Sequence, residues 1–203
     1  AVKPQVIPAA LTAIKDQLGP STALLSIAAG IPISSLQSQL GGDVSIIRCM
    51  PNTPAMIGLG ASALFAPDSV EAAHRKLAEQ VTNAAGKTVW VTREDLLDAV
   101  TAVSGSGPAY FFALIEAIAR TGTELGLEEE VAMALTVQTA LGAASLAAQA
   151  TEPVATLREN VTSPGGTTAQ ALQSLRAHDF DAVVAEAVRQ CAARAKALGE
   201  EFG

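Results

Sequence analysis

One change of pattern constrains the fold of this chain most: strand-like and helix-like segments alternate as far as Thr92, and helix-like segments follow almost without a break. The predicted strands lie at 23–28, 44–49, 62–66 and 88–91. A helix is predicted before them at 7–18, and two more lie between strands at 34–40 and 69–85. Such βα alternation is typical of a parallel-type sheet covered by helices. We therefore predict an α/β plus all-α fold with domains at 1–92 and 93–203.

Capping signals set the helix boundaries in the second part. Thr92 and Asp95 fit a capping box that opens a helix through Ala102. Pro108 suits the first position of the next helix, and Gly126 suits its end. The helix after that is predicted to carry Glu128, Glu129 and Glu130 in its first turn, where negative charge suits the helix dipole. Three more helices are predicted at 153–160, 168–177 and 179–198.

Composition excludes several classes of function. The chain has 203 residues, 49% of them hydrophobic, so it can bury a real core. A formal net charge of −7 argues against nucleic acid or an anionic membrane as the main partner, because both attract clustered Lys and Arg. The N-terminus lacks the charged and apolar regions of a signal peptide. The uncharged run 131–150 is rich in Ala, which favours a buried or subunit-interface helix over a membrane span.

Histidine and cysteine give no sign of a reactive cluster. His74 and His178 are the only histidines, and each lies among polar residues in a helix that we expect to be exposed. A metal site or a Ser-His-Asp triad is therefore not predicted. Cys49 and Cys191 are far apart in sequence and lie outside any metal-ligand spacing, which favours a reducing, cytoplasmic setting.

The segment 160–168 predicts an anion pocket at the start of a helix. Gly165 and Gly166 have no Cβ, so the backbone there can approach a ligand closely. Thr167 and Gln170 fit the N-cap and N3 positions of a capping box. Free N–H groups in the first turn, together with the helix dipole, favour a carboxylate or a phosphate. The same spacing also suits a glycine-rich turn that only redirects the chain.

Four motifs, in order along the whole chain, carry a resemblance to a known family. They are Val2-Lys3-Pro4-Gln5, Arg48-Cys49-Met50-Pro51-Asn52-Thr53-Pro54, Ser104-Gly105-Ser106-Gly107-Pro108-Ala109-Tyr110 and Ser163-Pro164-Gly165-Gly166-Thr167-Thr168. Together they resemble pyrroline-5-carboxylate reductase. The resemblance implies an N-terminal Rossmann domain and a C-terminal helical dimerisation domain, forming homodimers or larger assemblies of dimers. It also implies hydride transfer from NADPH or NADH to the C=N bond of 1-pyrroline-5-carboxylate, which gives proline.

The resemblance also implies which residues form the site. The catalytic candidate is Thr168, whose hydroxyl would face the ring nitrogen. The expected substrate-binding residues are Asn160, Ser163, Gly165, Gly166, Thr167, Thr168, Ser104 and Glu94. The expected cofactor-binding residues are Val2, Lys3, Pro4, Ala28, Ala29, Gly30, Asn52 and Asn160. Ser106 and Glu152 are further candidates for the wall of the site and for an acidic group.

Alternatives follow from what the front of the chain lacks. No G-x-G-x-x-G stands between a strand and a helix here, so we expect the chain to begin after the first half of a Rossmann domain. The residues that choose between NADPH and NADH would then be absent. A second hypothesis is a helical dimerisation module without activity of its own. A third is a different Rossmann-plus-helical dehydrogenase acting on a hydroxy acid.

Overall fold

A four-stranded sheet organises the first part of the chain. The computed structural model describes residues 6–19, 21–41 and 44–202. Helix α1 (Ile7–Ile14) continues into a 3₁₀ turn at Lys15–Gln17. The elements that follow are β1 (Ala23–Ser26), α2 (Ile33–Leu40), β2 (Ser45–Met50), a 3₁₀ turn at Thr53–Ile57, β3 (Gly60–Phe65), α3 (Ala72–Asn83) and β4 (Gly86–Trp90).

The sheet has the order β1-β2-β3-β4, and it is mixed. Strands β1 and β2 run parallel, as do β3 and β4, but β2 and β3 are antiparallel. The expectation of a parallel-type sheet is therefore wrong for this central pair. Only nine residues, 51–59, connect β2 to β3. A parallel crossover takes a dozen residues or more, so the short connection returns the chain antiparallel.

Alternation along β2 divides the core between the two faces of the sheet. Ile46 packs with α1 and α2 on one face, while Ile47 packs with α3 on the other. Neighbouring residues of a strand point to opposite faces, which is why consecutive isoleucines enter different clusters. Met50, on the same face as Ile46, packs with Leu97. Both faces are thus covered, as the βα pattern predicts.

Helices follow β4. They are α4 (Leu96–Val100), α5 (Gly107–Glu124), α6 (Glu129–Gln149), α7 (Val154–Asn160), α8 (Thr167–Ala177) and α9 (Phe180–Phe202). A π turn at Thr101–Gly105 joins α4 to α5, and in it Ser106 N–H donates to the carbonyl of Thr101 at 2.8 Å. The capping box predicted at Thr92 is wrong, because α4 begins at Leu96 with Asp95 as its N-cap residue.

His74 corrects a second expectation. Its side chain is buried rather than exposed, and Nδ1 lies 3.0 Å from Ser45 Oγ. His178 is exposed as predicted, with Nδ1 2.8 Å from the carbonyl of Ser174.

The chain divides into two compact units. One comprises Ala1–Pro108 together with Ala187–Gly203, and the other is Ala109–Glu186. The predicted division after Thr92 stays a prediction.

Two helical stretches, Leu96–Glu124 and Glu129–Gln149, are long and apolar enough to cross a membrane by length and composition alone. Only 17% and 6% of their most apolar windows are buried within the chain.

Candidate functional site

The loop between α7 and α8, residues 161–166, gathers predicted substrate residues in the second compact unit. Gly165 adopts φ +71°, a conformation that side chains rarely allow. Gly166 N–H donates to the carbonyl of Ser163 at 3.0 Å, and a Cβ added at Gly166 would collide with Ser163 Oγ. The backbone at position 165 therefore requires glycine, and a side chain at Gly166 would force Ser163 Oγ to move. Asn160 is the last residue of α7 and is exposed.

Helix α8 begins one residue earlier than predicted. Gly166 is its N-cap residue and Thr167 its first residue, so the capping box assigned to Thr167 and Gln170 is wrong. Among the described residues, no side chain caps this helix. The N–H groups of Thr167, Thr168 and Ala169 therefore lack partners within the helix. Gly166 N–H, expected to hold an anion, is instead used inside the turn. Thr168 is half-buried.

In the other unit, Asn52 follows the end of β2 and makes hydrogen bonds to β3 and to the π turn. Its Oδ1 accepts a hydrogen bond from Ala61 N–H at 2.8 Å, and its Nδ2 donates to the carbonyl of Ser104 at 3.1 Å. Ser104 Oγ in turn donates to the carbonyl of Val100 at 3.1 Å. Two predicted site residues are thus in contact, and the contact fixes the π turn against the start of β3.

Ser106 and Cys191 meet in the same unit. Cys191 Sγ donates to Ser106 Oγ at 3.2 Å.

Burial raises the pKa of the other thiol, Cys49, to about 11, although a hydrogen bond with Ser62 opposes the shift. Glu152, offered above as an acidic candidate, is exposed and belongs to the second unit.

The predicted cofactor residues Ala28, Ala29 and Gly30 follow β1. Because β1 and β2 run parallel, this segment and Asn52 leave the sheet at the same carboxyl edge, where open α/β sheets bind their ligands. Ala28 belongs to the core and Gly30 is buried, whereas Ala29 is half-buried. Of these three residues, Ala29 therefore offers the most accessible backbone at this edge, which fits close approach by a dinucleotide. The predicted Val2, Lys3 and Pro4 lie outside the described residues.

Glu94 makes two contacts that sequence reasoning did not foresee. Its Oε1 accepts hydrogen bonds from the backbone N–H of Ile33 at 2.7 Å and from Arg48 Nη1 at 2.9 Å. The Arg48 side chain is only 7% exposed. A signal was present, because an arginine within the apolar strand Ser45–Met50 requires a buried partner. Burial raises the pKa of the nearby Asp98 carboxyl, against the opposing charge of Arg48.

Comparison with known proteins decides the family. The sequence model of the pyrroline-5-carboxylate reductase dimerisation domain matches residues 94–198. A pyrroline-5-carboxylate reductase of Pseudomonas aeruginosa is 47% identical over 202 residues, covering 100% of this chain and 74% of that protein. The chain belongs to the pyrroline-5-carboxylate reductase family.

Solved structures of this reductase family agree in fold. A pyrroline-5-carboxylate reductase from Coxiella burnetii matches with a TM-score of 0.93 and 40% identity, over 98% of this chain and 74% of that one. A Plasmodium falciparum pyrroline carboxylate reductase solved with NADP bound matches with a TM-score of 0.89 and 34% identity, over 98% of this chain and 75% of that one. The resemblance and the α/β plus all-α fold class are confirmed. The roles of individual site residues stay predictions.

Proposed function

We propose that this protein reduces the C=N bond of 1-pyrroline-5-carboxylate to give L-proline, the last step of proline synthesis. The observation that carries the proposal is the uncapped start of α8. Three backbone N–H groups and the positive end of the helix dipole converge there beside a glycine turn. A substrate carboxylate would satisfy these donors, as anions do at other helix N-termini.

Thr168 is the residue we assign to the reacting bond. Its N–H belongs to the anion hold, and its hydroxyl is two bonds from the same backbone, so it would reach the ring nitrogen of a substrate held by its carboxylate. A protonated cyclic imine is already electrophilic, so catalysis mainly requires orientation. A threonine hydroxyl is a weak acid, and we assign it to orienting the nitrogen rather than supplying the proton. Ser163, Gly165 and Gly166 in the loop, together with Asn160 and Thr167 at its two ends, would surround the bound substrate.

For the hydride donor we propose NADPH or NADH at the carboxyl edge of β1 and β2. When bound, the nicotinamide supplies the hydride that adds to the carbon of the C=N bond. Ala29 and Asn52 are the described residues placed to contact it, and Asn52 retains one N–H beyond its two internal hydrogen bonds. We keep Val2, Lys3, Pro4 and Asn160 as predicted contacts. The relative from Plasmodium falciparum supports this choice of cofactor.

We also propose a cytoplasmic homodimer, or a larger assembly of such dimers, with residues 93–203 as the dimerisation domain. The family match over 94–198 supports this assignment. Exposed apolar side chains on α5 and α6 would be covered by the second copy. A net charge of −7 disfavours nucleic acid and anionic membranes, so the proposed partners are the substrate and a second copy of the chain.

The test is the loss of NADPH absorbance when 1-pyrroline-5-carboxylate is added to the purified protein, after light scattering has shown a folded oligomer. Turnover with proline as product supports the proposal. A well-folded oligomer without turnover or NADPH binding would instead favour a dimerisation module. Turnover of a hydroxy acid would favour a different dehydrogenase.

A further inference from the structure

The loop between β1 and α2, residues 27–32, is anchored to the core by the buried side chains of Ala28 and Ile31. Its centre is Ala28-Ala29-Gly30, the segment that we predict to contact the dinucleotide. Ala29 and Gly30 lie between these two anchors and carry at most a methyl group, so the position of their backbone also depends on what packs against the loop. Two contacts, one at Ile33 and one at Gly30, provide this further support.

The first contact is the carboxylate of Glu94. By accepting from Ile33 N–H, the first residue of α2, it fixes the end of the loop. By accepting from Arg48, it ties that end to the middle of β2. Both hydrogen bonds are charge-assisted, and an acidic group at a helix N-terminus is further favoured by the dipole. Loss of the carboxylate would leave the buried Arg48 guanidinium unpaired.

The second contact comes from the end of α9, in the same compact unit. A Cβ added at Gly199 would lie 3.0 Å from the carbonyl oxygen of Gly30, and one added at Gly30 would lie 3.0 Å from Gly199 N. The two backbones therefore touch without intervening side chains. Residues of both contacts line one cavity of about 350 Å³, among them Gly30, Arg48, Glu94 and Gly199.

We propose that Glu94 is a positioning residue, which together with the Gly30–Gly199 contact holds the loop 27–32 in the conformation that binds the dinucleotide. The inference rests on the proposed function, because it takes this loop to be part of the cofactor site. It assigns Glu94 a role other than direct contact with the substrate. Glu94 acts through Ile33 and Arg48, and its effect falls on cofactor binding.

The test measures KM for NADPH, KM for 1-pyrroline-5-carboxylate, kcat and the Kd of NADP⁺ in variants of the purified protein. Glu94→Ala removes both hydrogen bonds and is expected to raise the NADPH KM and the NADP⁺ Kd by about 10-fold or more. Glu94→Gln keeps an acceptor for Ile33 N–H and should restore part of this loss. The KM for 1-pyrroline-5-carboxylate should stay close to that of the wild type. Asp95→Asn is the matched control, since Asp95 is adjacent to Glu94 and lines the same cavity but pairs with the exposed Arg93 instead of Ile33 and Arg48.

Gly199→Ala separates positioning from folding. Alanine favours the helix by about 1 kcal/mol over glycine, so the variant should fold at least as well as the wild type. Its Cβ nevertheless presses on the Gly30 carbonyl, and a smaller rise in NADPH KM is expected without a fall in Tm. Ala193→Ser, at an exposed position of the same helix, should change neither quantity.

Three results would overturn the inference. An unchanged NADP⁺ Kd in both Glu94→Ala and Gly199→Ala is the first. A rise in the KM for 1-pyrroline-5-carboxylate alone would make Glu94 a substrate contact. Absence of NADP(H) binding in the wild type would remove the site that the loop is said to shape. A wild type that binds NADP⁺ without reducing 1-pyrroline-5-carboxylate would refute the proposed function only, and the Kd comparison would still decide the role of Glu94.

Discussion

The hydroxyl of Thr168 is the one side-chain group that our proposal places at the reacting bond. Thr168→Ala should lower kcat/KM by one to three orders of magnitude, about 1.4 to 4 kcal/mol of transition-state stabilisation, because the ring nitrogen loses its hydrogen-bond partner. Steady-state assays of NADPH oxidation measure this loss. Thr168→Ser keeps the hydroxyl and should retain most of the activity, while circular dichroism should show all three proteins equally folded. Equal kcat/KM in the wild type and Thr168→Ala would refute the assigned role.

Cys49 tests how closely β2 is packed. Its thiol is buried and has a pKa of about 11, so at pH 8 only about one part in a thousand is the reactive thiolate. We expect iodoacetamide to leave Cys49 unmodified in the native protein at pH 8 and to alkylate it after unfolding in urea. Mass mapping of the peptide that contains Cys49 provides the measurement. Rapid native alkylation of that peptide would contradict the packing described here.

At the scale of elements, the loop from β3 to α3 depends on one side chain. Arg75 donates to the carbonyls of Val70 at 3.2 Å, Ala66 at 3.1 Å and Pro67 at 2.6 Å. Its guanidinium also lies over the Trp90 ring, 5.4 Å from the centroid. Arg75→Lys cannot reproduce this planar set of donors and should lower the free energy of unfolding by about 1 to 3 kcal/mol.

Urea unfolding followed by circular dichroism measures this change. Lys76→Ala is the matched control, because Lys76 is the next residue of α3 and is exposed. We expect the midpoint of Lys76→Ala to stay near that of the wild type. A shift as large as that of Arg75→Lys would show that substitutions on this part of α3 lower the stability in general, and the loss could then not be assigned to the contacts of Arg75 with the loop.

Elements whose cause is local were predictable from the sequence. The four strands and most helices lie within a few residues of their predicted positions, since hydrophobic periodicity and Gly or Pro punctuation determine them. The π turn at Thr101–Gly105 was not predicted, because a pattern based on 3.6 residues per turn does not register one inserted residue. The antiparallel pairing of β2 with β3 was missed because the predicted strands left residues 50–61 between them, enough for a parallel crossover, whereas the observed connection is only 51–59.

Within the site, the same division holds between local and long-range causes. The turn at Gly165 and Gly166 could be predicted, since glycine is needed where the backbone turns. The pairing of Glu94 with Arg48 and Ile33 joins residues 46 and 61 positions apart, and sequence alone does not specify such partners. Asn52 and Ser104 were both predicted as site residues, but their mutual hydrogen bond came only from the fold.

For the whole molecule, the exposed apolar surface of α6 is the feature that requires explanation. Met133, Val137 and Leu141 recur every four residues and are 43%, 46% and 52% exposed, so they form one stripe. Leu135 is 57% exposed on another side of the helix. A helix that is apolar on several sides is normally buried, either in protein or in a membrane. The family match over 94–198 favours a second copy of this chain as the cover.

Leu141→Glu should therefore weaken the assembly, because it places a carboxylate in an apolar interface without a partner. In detergent-free buffer the wild type should have a mass at least twice the 20.6 kDa of one chain, with a Tm that rises with protein concentration as mass action requires. Leu141→Glu should shift the mass toward one chain or unfold the helical part, seen by light scattering and circular dichroism. Leu77→Glu, at a leucine of α3 that is 54% exposed, should leave both mass and Tm unchanged. If Leu141→Glu kept the wild-type mass at every concentration, the stripe on α6 would not be the dimer interface. A wild type that needed detergent to stay in solution would instead point to a membrane as the cover of α6.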